Sequence, residues 1–320
     1  MSKHPKTKFQ IYLEYIPFYF VLYPLLRNLP LRAAYRLNRV CFWILSHGYF
    51  SLRRRTREHL LHAGVARDGR DAYRKTQRVF EEFSKLVVEI IKFDQHFDRQ
   101  KIRWTGDPDA VRIVQEQNVI IASAHYGNWE LAGPAIAECS GRPMLSIMRG
   151  FSNPLIGEVI LRNRRGKMHQ LIDKDAPVAL RSMLRAMNNG QHIAVLIDQH
   201  ASRNEGVETV FFGHPCRTHR TPALLHLRTG IPIVPEVTWR APGSDFVFEL
   251  RCGKPICYTP TDDREKDIQT ICQLCTAELE KLICQEPEQW LWCHRRWLNL
   301  NRYGYTPENT HLYPNKPEKK

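Results

Sequence analysis

From residue 102 onward, short apolar runs alternate with stretches of helical periodicity, and this alternation restricts the chain to an α/β layered fold, a sheet flanked by helices. Strands are expected at 119–124, 144–148, 192–197, 208–212, 233–239 and 246–250, and helices near 109–117, 129–139, 154–164, 176–189, 221–229 and 267–285. Sites in such folds gather at strand ends. His125, Arg149 and Asp198 each close an expected strand. Unrelated α/β proteins use the same rim, so the placement supports a site without saying what kind.

The N-terminal third reads differently. Lys3, Lys6 and Lys8 precede Tyr15-Ile-Pro-Phe-Tyr-Phe-Val-Leu-Tyr-Pro-Leu-Leu26, twelve residues without a charge. A spanning helix needs about 20, and Glu14, Pro17 and Pro24 weaken a spanning reading further. No small-residue cleavage site follows, so no removed signal peptide is expected. Residues 31–50 mix Arg32, Arg36 and Arg39 with Leu37, Val40, Phe42, Trp43 and Leu45. A basic, aromatic helix of this kind fits a bilayer interface; a core helix under the α/β body remains the alternative. The cluster Arg53-Arg-Arg55 with Arg57 fits anionic headgroups, at about 1 kcal/mol per charge, or a solvated helix face. Apolar residues at Val79, Phe80, Phe83, Leu86, Val87, Ile90 and Ile91 give one long packing helix over 71–93.

A chain of 320 residues can bury a substantial core, and no linker composition or internal repeat divides it. The organisation expected is 1–64 as membrane-associating helices, 65–305 as one α/β domain, and 306–320 as a loosely ordered tail containing Pro307, Pro314 and Pro317. The net charge of +14 calls for an anionic partner. Nucleic acid is disfavoured, since no zinc-finger, RNP-type or helix-turn-helix signature is visible and the aromatics fall in apolar periodic runs. An anionic membrane surface or an acidic protein remains. Nine cysteines at irregular spacing form no disulfide framework and suit a reducing compartment. Cys272 and Cys275 sit in a helical pattern without a second pair at zinc spacing, so they read as helix packing; neither metal nor cofactor is expected.

The chemistry-bearing motif is His125-Tyr-Gly-Asn-Trp-Glu130, where a buried strand turns into a helix. An imidazole takes a proton from a weak nucleophile, and a carboxylate on its far nitrogen fixes the tautomer and stabilises the imidazolium. His125 and Glu130 have the residue types for those roles. The same spacing also describes a histidine bonded to loop backbone and a glutamate capping a helix, so the pair alone decides nothing.

Its company is more specific. Met148-Arg-Gly-Phe-Ser-Asn-Pro-Leu155, Arg162-Asn-Arg-Arg165, Ile197-Asp-Gln199, Phe211-Phe-Gly213, Gly230-Ile-Pro-Ile-Val-Pro235 and Pro287-Glu-Gln-Trp-Leu-Trp-Cys-His-Arg-Arg-Trp297 follow in order. The series resembles the bacterial lipid A biosynthesis acyltransferases, the lauroyl/myristoyl transferases within the lysophospholipid acyltransferase group, over nearly the whole chain. The resemblance implies an acyltransferase-type sheet with an N-terminal membrane-associating extension. It implies transfer of a fatty acyl chain from a thioester to a hydroxyl of a lipid A precursor or related glycolipid, at the cytoplasmic face of the inner membrane. Acyl carrier protein, an acidic partner for this basic chain, is the implied donor, with acyl-CoA as the alternative. His125 is then the base and Glu130 its orienting partner. Arg164 falls on a position the family uses in or beside its active site, Asp198 on its second acidic position, and Phe211 with Gly213 on a segment that helps form the acceptor pocket. Arg149 is added from its strand-end placement, an arginine fork being suited to phosphate oxygens. Arg220-Thr221 stands where relatives more often carry a small residue, which leaves the acceptor open. The terminal tryptophans, His294, Arg295 and Arg296 read as packing and paired structure.

Other readings share these residues. A lysophospholipid or mannoside-type glycolipid acyltransferase would differ only in the acceptor pocket. A thioesterase would use His125 on water, although no Gly-x-Ser-x-Gly elbow is present. A basic membrane adaptor would carry a vestigial pocket.

Overall fold

The computed structural model describes residues 7–48, 50–148, 150–164, 168–173, 178–243 and 246–297. Helices α1 (Lys8–Pro17), α2 (Tyr23–Asn28), α3 (Leu31–Gly48), α4 (Phe50–His62), α5 (Gly69–Ile91) and α6 (Phe93–His96) precede strand β1 (Ile102–Gly106). The α/β body continues with α7 (Pro108–Glu116), β2 (Ile120–Gly127), α8 (Trp129–Ser140), β3 (Met144–Met148), α9 (Pro154–Arg164), β4 (His169–Asp173), α10 (Ala179–Asn188) and β5 (His192–Leu196). It closes with β6 (Gly206–Phe211), β7 (His214–His219), α11 (Thr221–Thr229), β8 (Ile233–Arg240), β9 (Phe248–Cys252) and α12 (Arg264–Gln285).

Seven strands form one sheet in the order β1-β9-β8-β2-β5-β3-β4, parallel at every pairing except β8 with β9; β6 and β7 form a separate antiparallel hairpin. The apolar run of β2 is buried because the strand is central and covered on both faces. Ile120, Ala122 and Ala124 join a core with α10, α11 and α12, whereas Ile121 joins a second core with α7 and α8. Strand alternation divides one sequence run between two cores. Cys272 and Cys275 are buried in the first of these.

The strands missing from the sequence reading are β1, β4 and β7. The first two are the sheet's edges and the third lies in the hairpin, so none needs a continuous apolar run; β4 reads His169-Gln-Leu-Ile-Asp173 and β7 carries His214, Arg217, Thr218 and His219. The expected helix boundaries fall close to the observed ones. For β2 the strand continues past Ala124 to Gly127, placing His125 inside it.

Local chemistry starts the N-terminal helices. Thr7 and Gln10 form a reciprocal capping box on α1, and Asp68 caps α5 by accepting from Arg70 and Asp71 backbone N–H groups. Arg27 forks onto Asp94 at 2.8 and 2.6 Å, fastening α2 to α6. Asn153, buried ahead of α9, donates to the Ile11 carbonyl and to Glu14 of α1. The outward surface of α1 to α3 and of the turn joining α1 to α2 carries large apolar side chains among basic ones: Phe9, Leu13, Phe20, Val21, Trp43 and Ile44 are all more than half exposed, and Arg32, Arg36 and Arg39 are exposed beside them. Among the described residues no helix is long and apolar enough to cross a membrane. The basic cluster of α4 is split by packing. Arg53 is buried against Ser46 and Phe80, Arg55 donates to the Cys293 carbonyl, and Arg54 pairs with Glu58 at the surface.

A buried ion cluster joins α5 to the sheet. Arg240, at the end of β8, donates to both carboxylate oxygens of Glu89 at 2.5 and 2.7 Å and to Glu82 at 2.6 Å; Tyr35 of α3 also donates to Glu89. Glu89 is fully buried and further accepts from the side chain of Asn128. Arg240→Met is therefore expected to strand a buried carboxylate and lower unfolding stability by about 3–5 kcal/mol, measured by urea denaturation. A loss below about 1 kcal/mol would show that the cluster is dispensable.

Candidate active site

Parallel pairing of β2 with β5 brings their C-terminal ends together, and with them two residues 73 apart in sequence. His125 Nδ1 lies 2.8 Å from Asp198 Oδ1, while the His125 backbone N–H donates to Asp198 Oδ2 at 2.9 Å. The indole N–H of Trp290 reaches the same Oδ2 at 2.8 Å. Burial of Asp198 opposes ionisation, but the facing His125 and these hydrogen bonds outweigh it and hold the carboxyl well below the usual range. Because an ionised carboxylate only accepts, Nδ1 carries the proton and Nε2 keeps its lone pair. Gln199 Nε2 donates to it at 3.1 Å.

The local backbone explains how His125 reaches this position. The register of β2 against β8 is irregular between Ser123 and Gly127. Gly127 has φ +55, and a Cβ there would lie 2.0 Å from the Thr238 carbonyl oxygen, so only glycine fits. The chain then turns into α8, whose first turn is capped by the Asn128 side chain on the Leu131 N–H. A segment from the C-terminal region closes over the strand end: Tyr126 bridges Trp290, and the Leu291 N–H donates to the His125 carbonyl.

The loop carrying Asp198 and Gln199 is held by Arg296, which is almost fully buried. It donates to the carbonyls of Gln199 and Arg217 at 3.0 and 2.9 Å and to Thr218 Oγ1 at 2.7 Å, with its guanidinium over the Phe211 ring. His294 stacks parallel to His125 at 6.5 Å. Burial pushes its pKa down to about 4, so it is uncharged at neutral pH and adds no charge beside the imidazole.

Two sequence expectations change. The carboxylate on the His125 ring is Asp198; Glu130, in the first turn of α8, accepts the indole N–H of Trp129 at 2.8 Å instead. Parallel strand pairing brings His125 and Asp198 together although 73 residues separate them, while the nearby Glu130 carboxylate is taken up by the Trp129 indole. The resemblance also implies an acceptor pocket at Phe211 and Gly213, yet Phe211 is 1% exposed, packed against Trp290, Trp297 and Arg296. Phe212 and Gly213, both at positive φ, form the two-residue turn between the paired residues Phe211 and His214. Arg149 lies outside the described residues; Arg164 ends α9, and its side chain is likewise outside them.

The sequence reading assigned no chemistry to Gln199, Trp290 or Arg296. Gln199 adjoins Asp198 within a quoted motif, which was the available signal; Trp290 and Arg296 lie roughly a hundred residues downstream, and only the fold brings them to Asp198. Among the described residues no group of three His, Cys, Asp or Glu side chains converges as metal ligands.

A second buried carboxyl lies close by. Glu236 of β8 accepts from Ser123 and Thr238 hydroxyls, and burial raises its pKa to about 7. Its folded value exceeds the unfolded one, so stability is greatest below the unfolded pKa and falls as pH rises through 7. The change is about 3 kcal/mol, from 1.36 kcal/mol per unit. Glu236→Gln is expected to flatten that decline, read from denaturation midpoints between pH 4.5 and 8; parallel profiles for both proteins would rule it out.

Residues 3–299 match the family described as bacterial lipid A biosynthesis acyltransferase. The chain is 26% identical over 205 residues to a lipid A biosynthesis lauroyltransferase of Escherichia coli (strain K12), covering 62% of this chain and 64% of that protein. It is 25% identical over 235 residues to a lipid A biosynthesis palmitoleoyltransferase of the same organism, covering 71% and 73%. A phosphatidylinositol mannoside acyltransferase of Mycobacterium tuberculosis (strain CDC 1551 / Oshkosh) is 25% identical over 181 residues, covering 56% and 54%. The matches thus span just under two thirds of the first relative and about half of the last.

Proposed function

This chain belongs to the bacterial lipid A biosynthesis acyltransferase family and is an acyltransferase, and from that premise we propose that it moves a fatty acyl chain from an acyl thioester to a hydroxyl of a lipid A precursor or related glycolipid. The observation that carries the reading is the His125–Asp198 contact, which leaves Nε2 as the basic nitrogen. An acceptor hydroxyl displaces Gln199 from Nε2, gives up its proton there, and its oxygen attacks the thioester carbonyl carbon. Asp198 stabilises the imidazolium that forms. The tetrahedral intermediate then collapses, the C–S bond breaks, and the imidazolium returns the proton to the departing thiolate. Glu130 supports the site by fixing the Trp129 indole beside the ring. Arg149 and Arg164 are assigned to phosphate oxygens of the acceptor, for which the planar guanidinium is suited.

Acyl carrier protein is the proposed donor, because an acidic carrier complements a chain of net charge +14. The exposed aromatic and aliphatic side chains of α1 to α3 are assigned to the bilayer interface, on the cytoplasmic face of the inner membrane. Similarity to the mycobacterial enzyme supports a mannoside-type glycolipid as the second acceptor reading.

The test is reconstitution of the purified protein with acyl-carrier thioester and lipid A precursor in mixed micelles, followed by mass spectrometry. A product heavier by one acyl group, with little thioester turnover when acceptor is omitted, is expected. Turnover at the same rate without acceptor would replace this reading with a thioesterase.

A further inference from the structure

The basic nitrogen of His125 has one lone pair, and in this structure it is taken. Gln199 Nε2 donates to His125 Nε2 at 3.1 Å, and the direction of that bond is fixed because Nδ1 gives its own hydrogen to Asp198 Oδ1 at 2.8 Å. A lone pair holding one donor refuses a second, so the Gln199 amide and a reacting hydroxyl exclude one another. The ring is not sealed from solvent. The His125 side chain keeps 17% of its exposure and Gln199 is half-buried, so the amide occupies the basic edge of a ring that water reaches. The backbone beneath it is anchored: buried Arg296 donates to the Gln199 carbonyl at 3.0 Å and to the Ile197 carbonyl at 3.4 Å. Among the described residues the contact with His125 is the one hydrogen bond of the Gln199 side chain. The amide is thus a movable arm on a fixed base.

We propose that Gln199 sets the choice between acceptor hydroxyl and water, its amide capping the base until an anchored acceptor displaces it. The inference rests on the acyl-transfer reading above and adds which residue keeps the thioester from being hydrolysed. A glycolipid hydroxyl arrives with the binding energy of the rest of the molecule, part of which is spent on breaking the Gln199 contact. Water brings no such energy. At an uncapped base, Nε2 takes a proton from water, the water oxygen attacks the thioester carbonyl carbon, the C–S bond breaks, and the imidazolium passes its proton to the departing thiolate. The products are a free fatty acid and the carrier thiol, and this is the side reaction the cap suppresses. A hydrogen bond between neutral groups shifts such an occupancy by roughly 2- to 10-fold.

Gln199→Leu keeps the bulk and removes the donor; Gln199→Asn keeps the amide but withdraws it by one methylene. In both, hydrolysis of acyl-carrier thioester without acceptor is expected to rise roughly 2- to 10-fold, and the ratio of hydrolysis to transfer to rise when acceptor is present. A residue that only supports the loop would give the opposite sign, with both rates falling together. A second measurement needs no turnover. Diethylpyrocarbonate acylates an imidazole nitrogen whose lone pair is free, so modification of His125, followed by peptide mass spectrometry against the exposed His47, is expected to be faster in both variants than in wild type. Hydrolysis by Gln199→Leu that falls or stays level overturns the cap, and so does His125 modification no faster than in wild type. Failure of the acyl-transfer reading shows elsewhere, in wild-type protein that transfers no chain to the acceptor, whereas the modification rates compare the capped and uncapped base whether or not transfer occurs.

Discussion

A His125→Ala protein is expected to retain its fold and lose acyl transfer by about 10²-fold or more, the contribution of a positioned general base. The fold should survive because what ties this strand end together is largely backbone: the His125 N–H still donates to Asp198, and the His125 carbonyl still accepts from Leu291. Asp198 would also keep the Trp290 indole as a donor. Initial rates of transfer, with circular dichroism and a thermal melt on the same sample, check the result. A well-folded variant with near-normal rates would remove His125 from the mechanism and leave the site without a base.

Asp198→Asn is expected to be at least as damaging although it changes so few atoms. Three donors converge on the carboxylate: the His125 N–H, the His125 Nδ1–H and the Trp290 indole N–H. An asparagine offers one accepting oxygen, and keeping it on the two donors that share Oδ2 turns its NH₂ toward Nδ1. The ring then has to accept there, its proton moves to Nε2, and the base nitrogen has no lone pair left for the acceptor hydroxyl. Loss on the order of 10³-fold or more follows from the wrong tautomer together with an uncompensated imidazolium. Glu130→Gln makes the contrast, because its amide oxygen still accepts from the Trp129 indole and the His125 tautomer is untouched. Transfer rates for the two variants at several pH values distinguish the roles. If Glu130→Gln falls as far as Asp198→Asn, the carboxylate of Glu130 has chemistry of its own, and the assignment of orientation to Asp198 is incomplete.

The sequence by itself determined the layered α/β class, the long α5, most of the buried strands, and His125 as the residue to watch. These are local signals. A buried strand announces itself by a run such as Ile120 to Ala122, and a helix by spacing such as Val79, Leu86 and Ile90, whatever the rest of the chain does. Edge strands β1 and β4 escaped because one polar face removes that signal. The identity of the carboxylate on His125 was settled only in three dimensions. Sequence proximity favoured Glu130, five positions away, but the Glu130 carboxylate takes the Trp129 indole, whereas the β2–β5 pairing sets His125 against a carboxylate 73 residues away. Trp290 and Arg296 likewise gained their places through packing against the loop of Asp198 and Gln199, not through any pattern near His125. Periodicity reports which face of one element is apolar; which faces meet is decided by tertiary contacts, because it depends on elements far apart in the chain.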